Sequence, residues 1–357
     1  MPKLKLSKSH LALISLVVIL SLLGLLFVFE SSVAEAYETF SDQYHFLRQQ
    51  AIRFAIGGVG FVIAALTPLK LWEKLSLPLF IFSIGLLILV LIPGMSPEIN
   101  GAHRWFVMGS ITIQPVEILK LSMVLYFAKW LSHHQRIQPF IFLVGLPLAL
   151  LLLQPDLGSA LIIAGVAGAL YYLSGGKIKT IFAISILGAA GLIMAVVTQP
   201  YRMQRLTTFI NPESDPLGAS FHIRQITLAL GSGGWFGQGI GNSKQKYSYI
   251  PEASTDSIFA IMAEEIGFIG SIAIMSLFIF YLFVGYRLAN RNKPGSFRHL
   301  VGMGILVWIG LQTLLNLAAV VALIPLTGLP LPFFSYGGSS LIMILFASGI
   351  LLKTGSK

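Results

Sequence analysis

Cysteine is absent from the 357-residue chain, so neither a disulfide framework nor thiolate chemistry is open to it, and composition leaves the redox compartment open. Charge is scarce too: 11% of the residues carry it, where an ordinary soluble domain has about 25%. Acids are the scarcest of all, 14 against 24 Lys and Arg. There is no repeat at a fixed period and no low-complexity tract, which argues against a solenoid. What fills the chain instead is apolar: 55% of it is hydrophobic, above the roughly 45 to 50% of soluble proteins. These proportions indicate an integral membrane protein.

A membrane-crossing helix needs about 20 mostly apolar residues. Ten such runs are predicted, at 11–29, 50–67, 76–93, 115–131, 140–153, 157–174, 179–198, 257–284, 300–321 and 338–353. The fifth and sixth are parted only by Gln154, Pro155 and Asp156. The fifth is therefore expected either to be tilted or sunken, or to belong to a helix broken near Pro155 whose ends turn toward an internal cavity. The first run follows Lys3, Lys5 and Lys8, and Ala34-Glu35-Ala36 resembles a signal-peptidase site. Its apolar core is long for a signal peptide and reads as an uncleaved anchor.

With the N-terminus placed in the cytoplasm, the short inner segments hold fifteen of the 24 basic residues and one acid, Glu73. That asymmetry fixes the orientation. It also accounts for the net charge of +10 without nucleic acid. One connection is long, 199–256 on the outer side between helices 7 and 8. Two amphipathic pieces in it, 200–210 and 217–230, are expected to lie on the bundle as short helices. The chain reads as a single polytopic membrane domain over 1–357.

The costly residues are the acids at the mouth of, and inside, the apolar runs, because an ionised group in hydrocarbon costs roughly 3 kcal/mol or more and normally faces a protein-lined or watered cavity. Asp256 opens the eighth run. It is either a capping acid that complements the helix dipole or a general base facing the outer leaflet. Glu264 and Glu265 lie about two turns further in, as paired or protonated interface acids or as part of a polar cavity. Glu117 and Lys120, spaced i, i+3 on one helix face, form a structural ion pair or line the same cavity. Asp156 either caps the sixth helix or joins them. Arg202, Arg205, Arg224, Lys244 and Lys246 give the long loop a positive cluster beside Glu213, Asp215 and Glu252. Such cations are either solvated or hold phosphates. Arg104 adds another in an outward loop, where His103 reads as structural; no metal-ligand spacing is present. The glycine run GSGGWFGQGIGN lacks the βαβ setting of a nucleotide loop and reads as turning backbone, beside a substrate or purely structural. Residues 325–340, with Pro325, Pro330 and Pro332, are expected to be a re-entrant stretch lining a cavity.

Six motifs, in order, resemble the SEDS family of bacterial cell-wall proteins, which includes RodA, FtsW and SpoVE: NGAHRWF from Asn100, QPVEILKL from Gln114, QPDLGSA from Gln154, NPESDPLGASFHIRQ from Asn211, GSGGWFGQGIGNSKQKYSYIPEASTDSIFAIMAEEIGF from Gly231 and PLPFFSYGGSS from Pro330. The resemblance implies an all-α integral membrane bundle of ten transmembrane helices with a large extracytoplasmic loop between helices 7 and 8, in the bacterial inner membrane. It implies a glycosyltransferase that polymerises lipid II into glycan strands alongside a class B penicillin-binding protein and the division or elongation machinery. PESDPLG and GSGGWFGQG look like RodA, whereas IGNSKQKYSYIPE looks like FtsW or SpoVE, with a slight lean to FtsW. The family's essential aspartate falls on Asp256. Ser254 and Ser257 stand where the family commonly has His and Phe, so roles for those two side chains do not transfer.

The reaction needs a base for an attacking sugar hydroxyl and cations for a departing diphosphate. Asp256 is expected to supply the first. Arg104, Arg205, Lys244 and Lys246 are expected to supply the second, with Glu117, Lys120, Asp156, Glu252 and Glu264 around the substrate and a divalent cation, Mg or Mn, as a candidate helper. Apolar grooves between the spans would hold the polyprenyl tail, with membrane lipids around the bundle. Two other classes fit the composition: a lipid II flippase, which would rely on the buried charges, and a scaffold that only recruits the transpeptidase.

Overall fold

The computed structural model describes residues 7–98, 102–109, 111–134, 136–197, 200–210, 220–246 and 254–356. A helix stands over every apolar run: α1 (Lys8–Phe40), α2 (His45–Leu66), α3 (Leu69–Val90), α4 (Pro115–His133), α5 (Ile137–Leu153), α6 (Leu157–Leu173), α7 (Ile178–Val197), α10 (Ile258–Ala289), α11 (Phe297–Val320) and α12 (Gly338–Thr354). The long connection supplies α8 (Pro200–Ile210) and α9 (Phe221–Gly233), matching the two amphipathic pieces. Among the described residues, α1, α2, α3, α10 and α11 are long and apolar enough to cross a bilayer by themselves.

Local chemistry sets the helix ends. Pro115 sits in the first turn of α4, where its missing N–H costs nothing. Asp156 caps α6 by accepting from the Ser159 N–H at 3.0 Å, and Ser296 does the same for His299 at the start of α11. The expected all-α architecture needs one correction: Phe106–Met108 and Ile111–Ile113 pair as an antiparallel hairpin, β1 and β2, too short for a periodic signal.

α12 packs along α2, α3 on α4, and α11 against α4, α6 and α10. Buried Trp308, Phe127, Phe333, Phe334 and Leu125 belong to one continuous apolar core. Tyr281 and Ser348, two polar side chains inside it, are bonded to each other at 2.9 Å.

A second correction concerns α10, which reads as one continuous run in the sequence. It breaks at Gly267, whose φ of 67° and ψ of −169° interrupt the helix. The glycine-rich segment fills the break: the N–H groups of Gln238 and Gly239 donate to the carbonyls of Glu264 and Glu265 at 2.9 and 3.0 Å, and those of Phe268 and Ile269 donate to Gly234 and Trp235 at 2.9 and 3.1 Å. Gly237 has a φ of 82°, and a Cβ there would overlap the Glu265 carbonyl. The glycines are therefore the condition for backbone to lie on backbone. Of the two readings open for this run, the structure shows the structural one.

Candidate active site

Where the ends of α2, α4, α6, α10 and α12 converge there is a cavity of about 490 Å³. Asp256 is on its wall, half-buried, two residues before the first residue of α10. Ser257 occupies the cap position, and its hydroxyl lies 2.8 Å from His222 Nε2 and 3.4 Å from Asp256 Oδ1. The backbone beneath Asp256 is pinned by Asn316 of α11, whose Nδ2 donates both to the Asp256 carbonyl at 2.8 Å and to the Leu329 carbonyl at 2.7 Å. Those two bonds tie the segment carrying Asp256 to the irregular 325–337 stretch, which lines the cavity with Leu326, Gly328 and Pro330 as expected.

Asp156 and Glu117 also face the cavity. Asp156 both caps α6 and lines the site, so its two readings coexist. α5 ends and α6 begins around it, placing a helix break at the cavity. Arg104 lines the cavity as well, yet its guanidinium donates to the carbonyls of Gln154 (2.9 Å) and Pro155. It holds the broken backbone open. Behind the wall, Lys120 donates to Glu117 at 2.7 Å and to Gln312 at 2.9 Å. Gln312 accepts from Trp308 and donates to Pro330. The Glu117–Lys120 pair is nearly fully buried, with Glu117 Oε2 left without a hydrogen-bond partner.

Three expected site residues lie elsewhere. Lys246 is buried between Glu30 of α1 (3.2 Å) and Glu265 of α10 (3.3 Å), and it donates to the Gly241 carbonyl at 2.7 Å. Glu264 accepts from the Ser243 hydroxyl and from the N–H groups of Lys244 and Gln245. Lys244 is exposed. None of these three lines the cavity; they form a second polar cluster, which fastens the glycine segment to α1 and α10. Glu252 and the Arg205 side chain are outside the described residues. Among the described residues no three His, Cys, Asp or Glu side chains come together as metal ligands.

Tyr336 and Ser340, in the 325–340 stretch expected to line a cavity, do so, and the structure adds His222 and Arg53. A signal existed for Arg53, a lone cation three residues into an apolar run.

Many apolar helices around a polar cavity, with the α5–α6 break turned toward it, define a multi-pass membrane protein of the broken-helix type. The model of the FtsW/RodA/SpoVE family, described as a cell cycle protein, matches residues 10–356, and the chain belongs to that family. It is 36% identical over 357 residues to the stage V sporulation protein E of Bacillus subtilis (98% of this chain, 97% of that one). It is 37% identical over 348 residues to the "Probable peptidoglycan glycosyltransferase FtsW" of a Geobacter species (95% of each). The rod shape determining protein RodA of Thermus thermophilus superposes with a TM-score of 0.70 at 28% identity, covering 96% of this chain and 95% of RodA. A chain from a structure titled for the coordination of polymerization and crosslinking by a peptidoglycan synthase complex gives 0.77 at 29% identity, covering 96% of each.

Proposed function

We propose that this protein is a peptidoglycan glycosyltransferase that polymerises lipid II, the polyprenyl diphosphate-linked disaccharide peptide, with Asp256 as general base. It works beside a class B penicillin-binding protein transpeptidase in the division or elongation machinery. One observation carries the reading: a carboxylate, Asp256, stands half-buried on the wall of a 490 Å³ cavity, its backbone fixed by Asn316. The ten apolar helices cross the bacterial cytoplasmic membrane with both termini inside, an orientation the basic residues of the short connections support, and the cavity opens on the outer side.

In the reaction, the 4-hydroxyl oxygen of one sugar bonds to the anomeric carbon of another. Its proton passes to Asp256, and the bond from that carbon to the diphosphate breaks with its electron pair leaving on the diphosphate. Direct displacement inverts the α-linked donor to a β-linkage without a covalent enzyme intermediate. The polymerase reading is favoured over a flippase because Lys120 is locked to Glu117 and Gln312, whereas Asp256 faces the cavity.

The test is purified protein with its transpeptidase partner and lipid II. Asp256→Asn is expected to lower glycan formation by about 10² to 10⁴-fold, the contribution of a general base, with unchanged melting. Undiminished polymerisation by that variant removes Asp256 from the mechanism.

A further inference from the structure

We infer that the opening turn of α12, with Arg53 of α2 laid against it, receives the diphosphate of the lipid-linked substrate; this rests on the polymerase reading above. Helix α12 runs 17 residues, and its cap residue, Gly337, brings no side chain to its first turn. The N–H groups of Gly338, Ser339 and Ser340 precede the first intrahelical bond, from Leu341 to Gly337. Such uncapped donors, at the positive end of the helix dipole, suit an anion. All three residues line the cavity.

Two side chains point to the ligand independently. Ser340 is 6% exposed, and its hydroxyl has no hydrogen-bond partner. The Arg53 guanidinium lies 4.4 Å from the centre of the Tyr336 ring and gives one bond to Gln49 at 3.2 Å, while its Nη1 is buried with no partner. Among the described residues no carboxylate is within ion-pair reach of it. Buried polar atoms in folded proteins are nearly always bonded, so these two mark a missing acceptor. Gly338 permits the arrangement, since a Cβ there would press on Arg53 Nε at 3.2 Å.

Three other described cations are engaged. Arg104 holds backbone carbonyls, and Lys120 and Lys246 hold carboxylates. The cavity's acids, Glu117, Asp156 and Asp256, come from α4, the α5–α6 break and the segment before α10, and none from α2 or α12. A bond joins the two ends of the chemistry: the Tyr336 N–H donates to the Ser254 carbonyl at 2.8 Å, two residues before Asp256. The proton is then taken at one end of this strap, and the charge released on the departing diphosphate is received by Arg53, the Ser340 hydroxyl and the α12 amides at the other.

The experiment titrates the purified full-length protein with sodium pyrophosphate, reads thermal stabilisation, and runs the polymerisation assay on the same preparations with the transpeptidase partner and lipid II added. Arg53→Gln is expected to weaken pyrophosphate binding and lower kcat/KM for lipid II by about tenfold or more, the worth of a charged hydrogen bond. Arg53→Lys should recover part of both, and Ser340→Ala should show a smaller loss. Should Arg53→Gln fail to fold, Arg53→Lys and Ser340→Ala carry the test. Unchanged pyrophosphate affinity in the folded variants overturns the inference. So does Arg53-dependent stabilisation by phosphatidylglycerol vesicles with none by pyrophosphate, which assigns the site to a lipid headgroup. Wild-type protein that binds pyrophosphate through Arg53 yet makes no glycan refutes the polymerase reading and leaves the anion site standing.

Discussion

Two groups of carboxylates occupy the same end of this molecule, and they differ in what surrounds them. Around Asp256 the polar groups leave a space, with unpartnered donors on Arg53 and Ser340 facing the cavity. Around Glu264 and Glu265 that space is closed: Lys246, Ser243 and the backbone of the glycine segment take up Glu264 and one oxygen of Glu265, leaving its Oε2 alone without a partner, and both residues are 1% exposed. The contrast teaches that a buried acid in an apolar helix marks either a reaction site or a fastening, and that the test is whether an open cavity or packed neighbours stand beside it.

Breaking the fastening should have the largest effect on stability. Lys246→Met strands Glu30 and Glu265 without their cation, a loss of about 3 to 5 kcal/mol for a broken buried pair. It is expected as a sharply lower melting temperature, partly restored by adding Glu265→Gln. A normal melting curve for Lys246→Met would make the cluster incidental. Gly237→Ala comes next, at about 1 to 3 kcal/mol, since the added methyl meets the Glu265 carbonyl from a φ of 82°. Calorimetry of the detergent-solubilised protein reads it, and a neutral result would mean the segment lifts freely from the break. The smallest effect is expected for Lys244→Ala, two residues from Lys246 in sequence. Its described bond is made by the backbone N–H, so melting should not move and kcat/KM for lipid II should change less than about twofold, within the usual scatter of surface substitutions. A tenfold fall would place its side chain at the substrate after all.

The helices were legible because length and hydropathy suffice to mark them, and the broken α5–α6 pair was legible because Pro155 and Asp156 interrupt an apolar stretch. Asp256 stood out for the same economy, an acid where acids are expensive. The α10 break was hidden: Gly267 inside an apolar run is an ordinary residue until another backbone comes to lie on it. Lys246 was misplaced because its partner Glu30 is 216 residues away, a distance that no local spacing encodes. Arg53 carried a visible anomaly, but its meaning depends on the start of α12, which packs along α2 from the far end of the chain.

The backbone bonds across Gly267 also bear on how the protein is assembled. The carbonyls of Glu264 and Glu265 and the amides of Phe268 and Ile269 find partners in residues 234–239, and each bond left unmade in hydrocarbon costs several kcal/mol. The two halves of α10 therefore cannot settle into the bilayer ahead of the segment that precedes them; helix and loop have to enter as one piece.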